Sequence, residues 1–169
     1  GDDCIAGTAN QFFLIENCQL NSSCNAFRFA CDNLILRDCR IWGPGEYMHR
    51  VSKRTNMLAA FVHFSPGKGK QSEPVSDNWR VENLTIENAN HLYLYDYEKG
   101  LWQTVRPVKT VRFQHIEASK IRQPIMINGD GQIEFYLRDV TINFMHEKVG
   151  QERTGPAGQN DGYAFNIKN

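Results

Sequence analysis

Five stretches of the chain carry the same order of apolar and polar side chains. The first two are Phe13-Leu14-Ile15-Glu16-Asn17-Cys18-Gln19-Leu20 and Leu34-Ile35-Leu36-Arg37-Asp38-Cys39-Arg40-Ile41. The others begin at Trp79, Val111 and Phe135. The third place is apolar in each (Ile15, Leu36, Val81, Phe113, Leu137), and the fifth is polar (Asn17, Asp38, Asn83, His115, Asp139). Apolar or small residues return at the sixth and eighth places. Apolar residues at every second position describe a strand with one buried face. The third-place residues follow one another after 21, 45, 32 and 24 positions. Self-similarity at that spacing predicts a β-solenoid, in which each repeat is one coil of about 20–30 residues. A sandwich of about eight short strands would alternate as well. It would not return a polar residue to a fixed place.

The 45-residue interval from Leu36 to Val81 is too long for one plain coil. It holds Gly43-Pro44-Gly45, a turn signal, and the polar stretch Pro66-Gly67-Lys68-Gly69-Lys70-Gln71-Ser72-Glu73-Pro74. Between them Met57-Leu58-Ala59-Ala60-Phe61-Val62-His63-Phe64 reads as a strand. The expectation is an extra coil there, followed by a flexible loop insertion at about 65–78. No segment has the pattern of a long amphipathic helix, and Gly162 to Asn169 reads as a further strand. A solenoid normally caps its open ends, and neither end shows a cap. One domain spanning residues 1–169, part of a longer solenoid, is therefore expected, and uncapped ends invite end-to-end self-association.

Charge narrows the function. Lysine plus arginine equals aspartate plus glutamate at 19 each, so no basic excess is present to hold a phosphate backbone and nucleic acid is not expected as a partner. No apolar run approaches the ~20 residues of a membrane-spanning helix, and Gly1-Asp2-Asp3 does not read as a signal peptide. The five cysteines (Cys4, Cys18, Cys24, Cys31, Cys39) include no pair with metal-knuckle or redox-motif spacing. Cys24 and Cys31 could bridge. Cys18 and Cys39 hold equivalent places in the repeat and are read as buried free thiols.

The opening Gly1-Asp2-Asp3-Cys4-Ile5-Ala6, with Ile15-Glu16-Asn17-Cys18 and Leu36-Arg37-Asp38-Cys39 behind it, resembles the polygalacturonase-like family-28 glycoside hydrolases. The resemblance covers roughly residues 1–45. It implies an all-β chain forming a right-handed parallel β-helix, a single-stranded solenoid. It also implies inverting hydrolysis of uronic-acid-containing polysaccharide in a secreted, periplasmic or cell-surface setting. Asp2 would be the general acid, and Asp3 would help activate water together with an upstream aspartate. Inverting enzymes hold their two carboxyls about 6.5–9.5 Å apart to leave room for that water. Successive strand residues point to opposite faces, so Asp2 and Asp3 can share a cleft only at a strand end or bulge. Three of the family's four motifs have no full match. The upstream Asn-Thr-Asp-Gly would precede residue 1, and no Arg-Ile-Lys is found. The segment expected to carry Gly-His-Gly is Cys24-Asn25-Ala26-Phe27-Arg28-Phe29. Its Asn25 can hydrogen-bond a sugar but cannot carry a proton.

Asn25, Arg28, Arg50, Lys53, Arg54 and His63 are the candidate substrate-binding residues. The arginines and lysine can grip a carboxylate, or the loop from Arg50 to Arg54 can simply be solvated. His63 alternates with Val62 and Phe64, which can turn it outward into a groove. Tyr93, Tyr95 and Tyr97, near Trp102, form either a platform for a pyranose ring or an aromatic ladder inside the solenoid. His49, His91 and His146 lack metal-ligand spacing with acids, so no metal or other cofactor is expected. Phosphate loops and nucleophile elbows are absent. A polysaccharide is the expected partner, as the substrate of a hydrolase or as the ligand of a non-catalytic β-helix that binds it or acts as a spacer.

Overall fold

The computed structural model describes residues 2–64, 76–96, 108–128 and 133–145, together with the backbone of 165–168. Its elements are strands: β1 (Ile5–Glu16), β2 (Gln19–Asn21), β3 (Asn25–Trp42), β4 (Met57–His63), β5 (Trp79–Asp96), β6 (Thr110–Asn128), β7 (Glu134–Phe144) and β8 (Phe165–Lys168). All belong to one sheet and pair in parallel, in the order β1-β3-β4-β5-β6-β7, with β2 on β3, β8 on β6 and a further β3–β5 pairing. The chain is all-β. Among the described residues no helix is long and apolar enough to cross a membrane.

The sequence repeat is the pairing register. Ile15 lies beside Leu36, Leu36 beside Val81, Val81 beside Phe113, and Phe113 beside Leu137. Stacking like on like puts the third-place apolar residues on one line, where Ile15, Leu36, Val81 and Phe113 are buried, while Leu137 on β7 is 45% exposed. The extra coil expected between Leu36 and Val81 is absent. Ile35–Trp42 pairs directly with Arg80–Glu87, so no further strand separates them. The expected strand at Met57 does form, as β4, and it pairs with the first part of β3 and the second part of β5. The long interval is therefore filled by connecting segments around β4. Most of the loop expected at 65–78 lies outside the described residues.

The polar fifth place has a backbone cause. Asn17, Asp38, Asn83, His115 and Asp139 all have positive φ, between 52° and 56°. A residue in this left-handed region bends the strand and consumes one position of the alternation. In β5, Trp79 and Val81 are buried before Asn83, and Leu84 and Ile86 after it. The buried positions change from odd to even, so the chain turns while its apolar side chains keep facing inward. Asn and Asp tolerate this conformation best after glycine. Two further columns repeat the device. Asn88 and Lys120 form one, with φ of 59° and 54°, and Phe12, Asn33 and Asn78 form the other, with φ of 54°, 58° and 55°. Side-chain amides bond along these columns: Asn83 Nδ2 donates to Asp38 Oδ1 at 3.1 Å, and Asn78 Nδ2 to Asn33 Oδ1 at 2.8 Å.

Phe12 is out of place in its column. It holds a bulky side chain at positive φ and leaves it 80% exposed. Phe12→Asn is expected to raise stability by about 1 kcal/mol, because the left-handed conformation costs L-residues with a large side chain about 1–2 kcal/mol. An unchanged or lower urea midpoint would contradict that expectation.

The interior carries a line of aromatic rings. Phe27 stacks on Phe61 at 5.4 Å between centroids, Phe61 meets Phe113 at 5.7 Å, and Phe113 stacks on Phe135 at 6.3 Å. Trp79, Tyr93 and Tyr95 are fully buried beside them. The tyrosines thus belong to the interior ladder and are not a sugar platform; Tyr97 and Trp102 lie outside the described residues. All five cysteines are free thiols. Cys39 is buried and Cys18 half-buried, one above the other, with the Cys18 N–H donating to Cys39 Sγ at 3.4 Å.

Candidate functional site

Three adjacent segments begin near one another at the entry edge of the sheet. Asp2 and Asp3 precede β1, Cys24 precedes Asn25 at the start of β3, and residues 43–56 lead into β4. The first two are tied by the backbone: Cys4 N–H donates to Asn25 O at 3.0 Å, and Ser22 Oγ donates to Asp2 O at 2.8 Å. Consecutive residues of an extended chain point apart, so the two aspartates differ. The side chain of Asp2 is 79% exposed, whereas that of Asp3 is only 9% exposed.

Asp3 is held by both residues expected to bind substrate nearby. Its Oδ1 accepts from Asn25 Nδ2 at 2.7 Å, and its Oδ2 lies 2.5 Å from Arg28 Nε. The Arg28 guanidinium lies over the Phe64 ring, 4.3 Å from the centroid. Asn25 and Arg28 are three positions apart on β3, so alternation alone does not bring them together. Each reaches a different oxygen of Asp3, and the Phe64 ring helps hold the guanidinium that meets the carboxylate.

The loop 43–56 closes over the edge. Gly45 is needed there, because a Cβ on it would sit 2.3 Å from Ser23 N. Asn21 and Ser23 fasten the loop: Asn21 Oδ1 accepts from Glu46 N–H at 2.7 Å, and Ser23 Oγ donates to Tyr47 O at 2.6 Å. This delivers His49, whose Nε2 lies 3.5 Å from Asp2 Oδ1. Its Nδ1 lies 2.6 Å from Ser52 Oγ and accepts from Ser52 N–H at 2.9 Å. Arg54 Nε donates to the same Ser52 Oγ at 2.7 Å. Cys24 sits between the aspartates and the loop, and Asn25 Nδ2 also reaches its Sγ at 3.4 Å. Burial first, and then the negative charge of Asp3, push the Cys24 thiol up to about 11. At neutral pH it is a thiol and not a nucleophile.

Five of the eight nominated residues therefore meet: Asp2, Asp3, Asn25, Arg28 and Arg54. Arg50 and Lys53 are exposed on the same loop, and among the described residues no ion pair draws them into the cluster. His63 does not face a groove. It is fully buried, its ring 5.8 Å from Trp79 and 5.5 Å from Tyr95, so the outward orientation read from its neighbours is corrected. Val62 and Phe64 are also buried, because two layers of the core flank this strand. His49 and Cys24 were missed as members of the site. Neither stands at a recognisable spacing from Asp2, and only loop closure brings them together. A second, shallow concavity of about 650 Å³ lies on the outer surface, lined by Asn83, Thr85, His115, Glu117, Asp139 and Thr141.

His63 makes a pH prediction. Neither ring nitrogen has a hydrogen-bond partner among the described residues, and burial lowers its pKa from 6.5 to about 3. Below about 6.5 the unfolded chain binds a proton there that the folded chain refuses, so stability is lost as pH falls from 6.5 toward 3. His63→Leu is expected to keep its stability at neutral pH and to flatten this acid-side decline, as read from unfolding midpoints across that range. A decline as steep as that of the parent would show that His63 does not set it.

Compared with known proteins, the chain matches no family model, no curated protein and no solved structure.

Proposed function

We propose that this chain is a right-handed parallel β-helix of polygalacturonase type that cleaves uronic-acid-containing polysaccharide by inverting hydrolysis. The observation that carries this reading is the convergence of Asp2, Asp3, Asn25, Arg28 and Arg54 at one edge of the sheet, the first four drawn from the region that resembles that family. Three sets of paired stretches, separated by the three columns of positive-φ residues, favour the solenoid. In this reading the exposed Asp2 gives its proton to the glycosidic oxygen as the C–O bond breaks. Asp3, held by Arg28 and Asn25, orients the water that attacks the anomeric carbon and accepts the proton that this water loses. The exposed cations on the loop, Arg50 and Lys53, together with the half-buried Arg54, would meet substrate carboxylates. His49 supplies an imidazole beside the acid, the group that Asn25 cannot provide at its own position.

A second reading is favoured by the clamp itself. A carboxylate engaged by both Arg28 and Asn25 has little freedom to accept a proton from water, as a binding module without catalysis would show. Reducing-end release from galacturonan and rhamnogalacturonan separates the two. Product of inverted configuration supports the hydrolase; binding to the same polymers without release supports the module. Neither release nor binding would overturn both.

A further inference from the structure

We propose that Asp2, Cys24 and His49 together form a binding site for a single divalent transition-metal ion of zinc type. One ligand atom of each residue (a carboxylate oxygen, the thiol sulfur and an imidazole nitrogen) lies within 4.8 Å of the other two. Metal–ligand bonds of about 2.0–2.3 Å set tetrahedral ligand atoms roughly 3.3–3.8 Å apart. Small side-chain rotations therefore suffice to close the three around one ion. Asp2 Oδ1 and His49 Nε2, at 3.5 Å, already stand at that separation.

The donor set selects the ion. Sulfur and imidazole nitrogen beside one carboxylate suit zinc and its neighbours, whereas magnesium and calcium require oxygen ligands. Two carboxylates, Asp2 and Asp3, face the thiol, and Arg54 is the opposing cation. On binding, Cys24 releases its proton to solvent and coordinates as thiolate. Ligation through His49 Nε2 places the ring proton on Nδ1, and Ser52 Oγ, 2.6 Å away, is positioned to accept it. That partner replaces the Ser52 N–H contact, and such second ligands orient metal-bound imidazoles. His49 and Cys24 are half-buried or more, while Asp2 opens to solvent, which leaves a fourth position for water. Three protein ligands and an open position make a site that can exchange its ion.

The site does not rest on the hydrolase reading, although the two meet at Asp2. An ion held there removes the carboxyl from acid duty, so a hydrolytic chain would be inhibited by zinc.

The test is cobalt(II) titration of the metal-free full-length chain, followed by absorbance. One equivalent of cobalt should produce a thiolate-to-metal charge-transfer band with the visible bands of a tetrahedral ion, and zinc should displace it. Cys24→Ser should abolish the charge-transfer band. His49→Ala and Asp2→Asn should each weaken binding more than about tenfold, and Cys4→Ser should leave it intact. Far-UV circular dichroism checks that each variant is folded. If Cys24→Ser fails to fold, the exposed-loop variant His49→Ala carries the decision alone. No band, a band that survives in folded Cys24→Ser, or parental affinity in His49→Ala would overturn the site. Because the readout is binding, a chain inactive on every polysaccharide leaves the result fully interpretable.

Discussion

In the hydrolase we propose, Asp2→Asn is expected to lower hydrolysis of pectic polymers by roughly 10²–10⁴-fold, the span a positioned proton donor contributes, with little change in stability. The asymmetry between the two aspartates is what makes the result diagnostic. The Asp2 side chain is 79% exposed, lies 3.5 Å from His49 and accepts the Asp3 backbone N–H at 2.9 Å, so losing its charge removes little that holds the fold. Surface substitutions of that kind usually stay within about 0.5 kcal/mol. Asp3→Asn should behave differently. Its carboxylate is 9% exposed and engages Arg28 and Asn25 together. The amide would keep one hydrogen bond and lose the charge that faces the guanidinium, at a cost of about 1–3 kcal/mol. Arg28 keeps 27% of its side-chain surface in water, which holds this below the cost of a fully buried pair. Reducing-end assays and urea midpoints on the two variants together check the assignment. Hydrolysis by Asp2→Asn at the parental rate would remove it from the acid role.

Phe61→Ala is expected to cost about 3–5 kcal/mol, the range for removing a fully buried ring. Phe61 lies on β4, inside the long connection between the halves of the repeat, and it is 0% exposed. Its ring stacks on Phe27 with an interplanar angle of 8° and meets Phe113 on β6. Alanine would leave a gap in the middle of the aromatic line, where neighbours fixed by strand pairing on both sides cannot collapse. Since domains are stable by only about 5–15 kcal/mol, the variant should unfold at a much lower denaturant concentration or fail to accumulate. A midpoint within about 1 kcal/mol of the parent would mean that β4 contributes little to the core. Phe12→Asn, at the opposite extreme of exposure, should move the midpoint the other way.

Much of the architecture was legible in the chain because parallel, in-register stacking writes itself into sequence. Each third-place apolar residue packs on its counterpart, so Ile15, Leu36, Val81 and Phe113 repeat as one type. The recurring polar residue was equally visible, and its cause became clear only from the backbone: a positive φ that Asn and Asp accept and that keeps the apolar side chains facing inward. The extra coil failed for a related reason. Counting residues between Leu36 and Val81 cannot separate an added strand from longer connections, and only the direct pairing of β3 with β5 decides.

What the sequence determined by itself is therefore the strand pattern and the interior line, since both follow from local alternation and residue type; the two aspartates were singled out by the family resemblance. What only the tertiary structure decided is how the edge is assembled. Whether His63 faces water or core depends on which layers pack over β4. Whether Asp3 is free or clamped depends on the register between the first residues and β3. That His49, Cys24 and Asp2 meet at all depends on the loop fastened by Asn21, Ser23 and Gly45. Those contacts join residues more than twenty positions apart, and the chain between them carries no periodicity that would record the meeting.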